Sequence, residues 1–131
     1  MATRTAETLR NAQLDLATAQ LAGGSLIIYD SAPPIDFSDT PRTLPLAIFT
    51  LGPAPFAPAA GGAAQLYPLA PVLVQRPGVA GWFRLLTAAG EPQHDGTITA
   101  PGGGGALEFD TPLFSTAGEC SVERLTLTLP E

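Results

Sequence analysis

Apolar residues in the first quarter of the chain recur with the spacing of a helix. Leu9, Ala12, Leu16 and Ala19 stand at i, i+3, i+7 and i+10, with Leu14, Ala17 and Leu21 beside them. The pattern predicts a helix over residues 5–22. Thr3 or Thr5 can cap its start, Glu7 places a negative charge in the first turn, and Gly23 with Gly24 supplies a stop. The stripe is broad and partly alanine, which permits close approach to a neighbour. A sheet of the same chain is the favoured neighbour, and a second subunit is the alternative.

Beyond Gly24 the helical period gives way to short β-prone runs. Strands are predicted at residues 25–30, 46–51, 63–67, 72–75 and 81–87. Ala88, Ala89, Gly90 and Glu91 form a hairpin turn, and the return strand covers 93–99, followed by a short strand at 106–110. The last strand, 121–129, alternates most cleanly: Leu125, Leu127 and Leu129 face one way, Thr126 and Thr128 the other. A bulge near Glu123 or Arg124 would bring Cys120 and Val122 onto the leucine face. Residues 31–45 hold four prolines and read as a loop or edge crossing. Residues 52–62 are a second irregular excursion, in which Phe56 implies packing onto something. No internal repeat of fixed period is visible.

The expected architecture is therefore mainly β: an antiparallel β-sandwich, jelly-roll-like or Ig-like, of seven or eight short strands with one N-terminal α-helix. One domain is expected over 1–131, with 1–24 forming the helix and its cap and 25–131 the sandwich. Composition agrees. The 131 residues include 14 glycines and 14 prolines, which excludes a long helical bundle, while 45% hydrophobic residues support a packed interior.

Charge removes some partners. Twelve acids against six bases give a net charge of −6, and the bases, all arginine, are scattered along the chain. No basic stripe exists to neutralise phosphates, so nucleic acid is not an expected partner. Cys120 is the single cysteine, which excludes an intramolecular disulfide. Its acidic neighbours Glu119 and Glu123 favour the protonated thiol, so an inert buried residue is expected. Residues 1–10 lack the apolar run of a secretory signal, and no apolar run is long enough to span a membrane. A soluble chain made in a cytosol is the expectation.

Candidate chemistry is sparse. His94 precedes Asp95, but neighbours in a strand point to opposite faces, and Asp95-Gly96 also has turn chemistry. Asp30, Asp36 and Asp39 form the densest acidic group, without the spacing of a calcium loop. Glu108 and Asp110 would share one strand face, where solvated carboxylates are the simpler reading. Gly102 to Gly105 lacks the lysine and serine or threonine of a phosphate loop. Trp82 and Phe83 read as core aromatics. No catalytic residue, metal or cofactor is expected, and the chain is not read as an enzyme.

Two segments carry a family likeness. The first is Leu9-Arg10-Asn11-Ala12 with Leu14-Asp15, the glycine pair, and Leu26-Ile27-Ile28-Tyr29-Asp30. The second is Gly81-Trp82-Phe83-Arg84-Leu85-Leu86, then Gly90 and Asp95-Gly96. Together with the threonine-rich close at 122–130, they resemble a family of small tailed-bacteriophage proteins encoded among virion genes. The middle, 51–71, departs from that pattern in being richer in proline, and 106–116 in lacking its asparagine-rich character. The resemblance implies a structural component of a phage virion, tail-tip or fibre-associated or a capsid decoration protein, made in the host cytoplasm. It would bind other virion proteins in a homo-oligomer or symmetric assembly. The contact candidates are Leu9, Leu16, Phe37, Arg42 and Phe56, with the loops 31–45 and 52–62. The alternative is a carbohydrate- or small-ligand-binding sandwich recognising a host surface, for which Trp82, Tyr29 or Tyr67 would have to stand exposed.

Overall fold

The computed structural model describes residues 6–30, 41, 44–67, 69, 71–99, 107–108, 113–114, 119–120 and 125–128. Helix α1 (Glu7–Ala19) is followed by β1 (Ser25–Asp30), β2 (Ala47–Thr50), β3 (Ala63–Gln65), β4 (Val72–Leu73) and β5 (Gly78–Leu86). Then come β6 (Pro92–Thr99), β7 (Leu107–Glu108), β8 (Leu113–Phe114), β9 (Glu119–Cys120) and β10 (Thr126–Thr128). The main sheet runs β2-β1-β5-β6-β7, with β8 pairing the start of β5, and β10-β3 and β4-β9 form separate two-stranded ladders. The protein is mainly β; among the described residues there is one helix, and every strand pairing is antiparallel except β6 with β7.

Alternation along the strands explains the core. Leu26 and Ile28 of β1 lie opposite Phe49 and Ala47 of β2 and opposite Leu85 and Phe83 of β5, and all six are buried. The same hydrophobic cluster takes Leu14 and Leu21 from the helical segment, Ala64 and Leu66 around β3, and Leu125 and Leu127 at β10. The main sheet and the small ladders thus share one core, which is consistent with a sandwich whose second layer is divided into short pieces. The leucine alternation at the C-terminus behaves as its pattern predicts, with Leu125 and Leu127 buried and Thr126 half-buried.

Two one-residue bulges set which side chain faces which way. In β1–β5 the register passes from Tyr29↔Trp82 to Asp30↔Ala80, leaving Gly81 unpaired. Ala80 consequently joins the core, while Trp82 lies outside that cluster. In β5–β6 the register passes from Leu85↔His94 to Leu86↔Pro92, leaving Gln93 unpaired.

The helix is shorter than its sequence pattern. Its N-cap is Ala6, with no side-chain cap, and the expected caps Thr3 and Thr5 lie outside the described residues. At the other end the glycine pair divides the work. Gly23 adopts φ 73°, and Gly24 passes so near β5 that a Cβ there would overlap the Leu86 carbonyl oxygen.

The excursion at 52–62 folds back rather than projecting. Ala57 N donates to Gln65 O at 2.8 Å, Tyr67 N donates to Pro55 O at 2.8 Å, and Phe56 bridges Leu66. Asp15 and Asn11 of the helix accept hydrogen bonds from Ala59 N at 2.8 Å and Gly62 N at 2.9 Å. This segment is the seat of α1. Strands β8 and β9 are only two residues long and carry no periodic signal in the sequence. The bulge expected at Glu123 or Arg124 lies outside the described residues, as does most of the loop 31–45.

Candidate functional site

Two features concentrate chemistry on the surface side of this framework. The first is on the face of the main sheet turned away from the core. Trp82 and Arg84 are two residues apart on β5 and share that face. Trp82 lies opposite Tyr29 of β1 and Thr97 of β6, and Arg84 lies opposite Ile27 and Asp95. The Tyr29 and Trp82 rings stack at 4.5 Å between centroids and 16° between planes. The Arg84 guanidinium sits 5.4 Å from the Trp82 ring centroid, within cation–π range. Its Nε donates to Asp95 Oδ1 at 2.7 Å and its Nη2 to Asp95 Oδ2 at 2.9 Å, a bidentate pair.

The cluster is closed. Trp82, Arg84 and Tyr29 are 1%, 3% and 6% exposed. The hydrogen bond that Arg84 donates to Asp95 pushes the Arg84 pKa upward against its burial, so the guanidinium stays charged. Burial raises the Tyr29 pKa, with Arg84 pulling it the other way. Ring faces and guanidinium are engaged with one another, so the arrangement clamps β1, β5 and β6 together. It does not present the aromatic platform that a sugar site asks of Trp82 or Tyr29. Tyr67, half exposed, is the remaining candidate of that set.

His94 and Asp95 diverge as strand alternation requires. His94 lies opposite the buried Leu85, and its Nε2 finds no hydrogen-bond partner among the described residues. Burial lowers its pKa, opposed by the charge of Asp95. The turn reading of Asp95-Gly96 is corrected: both lie inside β6. Gly96 is there because the Phe83 ring packs over it, and a Cβ at that position would overlap the ring. Asp30, the described member of the acidic group, pairs with Arg76 at 3.1 Å, while Asp36 and Asp39 lie outside the described residues. No three histidine, cysteine or acidic side chains converge among the described residues.

The second feature is the outer face of α1. The side chains that enter the core are Leu14 and Thr18, followed by Leu21 just beyond the helix. Leu9, Ala12, Leu16 and Ala19 all face away from it, with Leu9 53% and Leu16 66% exposed. The strongest apolar stripe of the sequence is thus the one left uncovered. Phe56 is corrected from a surface candidate to a core residue at 8% exposure, and Phe37 and Arg42 lie outside the described residues. Among the described residues no helix is long and apolar enough to cross a membrane.

The Arg84–Asp95 pair is the feature that sequence reading missed. Counting on from the pair at the end of the hairpin, Leu86↔Pro92, without a bulge would set Arg84 against His94, and the unpaired Gln93 moves its partner to Asp95. No family model, curated protein or solved structure matches the chain. The class defined by fold and surface is a small mainly-β domain whose N-terminal helix leaves an apolar face uncovered.

Proposed function

We propose that the chain is a non-enzymatic structural component of a tailed-phage particle, at the tail or on the capsid, that binds neighbouring particle proteins. The observation that carries the binding role is the exposed Leu9–Leu16 face of a helix anchored along its opposite side from residue 11 onward. Leu14 and Leu21 hold it to the core, while Asn11 and Asp15 hold it to the segment 59–62. A rigid surface of this kind binds with little ordering cost. The phage assignment rests on the two sequence segments described above. Several of their residues have structural tasks here: Gly81 makes the bulge, Trp82 and Arg84 form the outer clamp, and Phe83 fills the core.

The test is incorporation. The chain is expected in gradient-purified particles of its phage, at a copy number matching a particle symmetry. Leu9→Asp with Leu16→Asp should fold normally and be lost from them at least tenfold. Presence in the lysate with absence from particles overturns the proposal. Deleting the helix is the poorer test, because Leu14 and Leu21 are core residues.

A further inference from the structure

We infer that the outer face of α1 pairs with the same face of a second copy of this chain, antiparallel, about a twofold axis at the level of residue 14. The inference rests on the reading that this face binds protein, and adds what the partner is.

Three observations point to a second copy. The first is spacing: Leu9, Ala12, Leu16 and Ala19 are separated by three, four and three residues, the a/d seam of helix-on-helix packing rather than the wider stripe that covers a sheet. All four are exposed, and the core is served by the opposite side of the helix.

The second is side-chain size. The seam alternates large and small, and reading it backwards gives small and large. Two copies laid antiparallel therefore place Leu9 against Ala19 and Leu16 against Ala12, and twofold symmetry repeats both layers. A parallel pair would stack leucine on leucine and alanine on alanine, giving alternate bulges and gaps. The order is its own complement only in the antiparallel sense.

The third is charge. Solvent-facing helix surfaces usually carry charged residues. The positions flanking this seam are Thr8, Gln13, Asp15 and Gln20, of which only Asp15 is charged. For a chain of net charge −6, a seam with one acid per copy keeps repulsion between two copies low. The two Asp15 residues approach across the axis, and each accepts a hydrogen bond from its own Ala59 N, at 2.8 Å.

The helix has 13 residues and is about 20 Å long. One pair of such helices covers less than the roughly 1,200 Å² of a stable standard interface, so the dimer belongs to the weak, concentration-dependent class. Repetition on a particle would then multiply it.

Sedimentation equilibrium of the full chain from about 10 to 1,000 μM tests this. A monomer–dimer equilibrium is expected. Leu16→Glu should weaken it at least tenfold, with an unchanged thermal midpoint at dilutions where the parent chain is monomeric. Asp15→Asn keeps the acceptor for Ala59 N, removes the like-charge pair and should tighten association several-fold. In a Cys120→Ser background, a short thiol cross-linker should join Leu9→Cys chains to Ala19→Cys chains in preference to joining Ala19→Cys chains to each other. A monomer throughout the range, association untouched by Leu16→Glu, or preferential Ala19→Cys self-linking overturns the inference. If the chain stays monomeric while Leu9→Asp with Leu16→Asp still abolishes incorporation, the dimer fails and the particle-binding role stands.

Discussion

Arg84 and Asp95 meet across β5 and β6 through two hydrogen bonds of 2.7 and 2.9 Å, with the arginine side chain almost wholly removed from water. Neither residue faces the hydrophobic core. Their pairing holds the hairpin on its outer side while Phe83 and Leu85 hold it on the inner one, so the central strand is buried on both faces.

Breaking this pair from one side should be costly. Asp95→Ala leaves a buried guanidinium uncompensated and is expected to lower stability by about 3 kcal/mol in urea unfolding. Arg84→Met with Asp95→Leu should recover most of that loss, because two apolar groups need no partner. A double variant no more stable than Asp95→Ala would contradict this account.

The ring of Phe83 occupies the space a side chain would take at position 96. Gly96→Ala is expected to destabilise by about 1–3 kcal/mol through overpacking. Adding Phe83→Leu should relieve part of the overlap, so the second substitution costs less in the Gly96→Ala background than alone. Additive losses in thermal unfolding would show that the two positions do not touch.

The two leucine faces of α1 should respond differently. Leu14→Ala removes a fully buried side chain and is expected to cost about 2–5 kcal/mol. Leu16→Ala, two-thirds exposed, should stay within about 0.5 kcal/mol of the parent at dilute concentration. Denaturant midpoints read this directly, and equal losses would mean the helix is rotated from the orientation described.

His94 supplies a pH dependence of definite sign. Burial holds its pKa below the ordinary 6.5, so near that value the unfolded chain takes up a proton that the folded chain refuses. This stability is complete above about pH 6.5 and is lost as pH falls through it toward the lower folded value. The thermal midpoint should therefore drop between about pH 7.5 and 5, and His94→Leu should flatten that drop. An equally steep profile in the variant would assign the effect to other groups.

Much of the architecture was legible in the chain. Strand β1 matches its predicted bounds, the hairpin about Gly90 forms, and Leu125 and Leu127 bury as their alternation requires. These follow from local causes: β-branched and aromatic runs, a turn glycine, and a period of two. The helix was also legible, but not its orientation. It carries leucines at 9 and 16 and again at 14 and 21, the two pairs about 140° apart around the axis at 3.6 residues per turn. Periodicity alone cannot choose between two such stripes.

By itself, the sequence determined a mainly-β chain with one N-terminal helix, and where most of its turns fall, because those depend on the preferences of adjacent residues. Tertiary structure decided which face of the helix is spent on the core, that Phe56 turns inward, and that Arg84 stays opposite Asp95 although the hairpin end pairs Leu86 with Pro92. The reason is register. The unpaired residues Gly81 and Gln93 each shift a strand by one position, and a one-residue shift reverses every side chain beyond it. That choice is made by packing between segments distant in sequence, which no local pattern records.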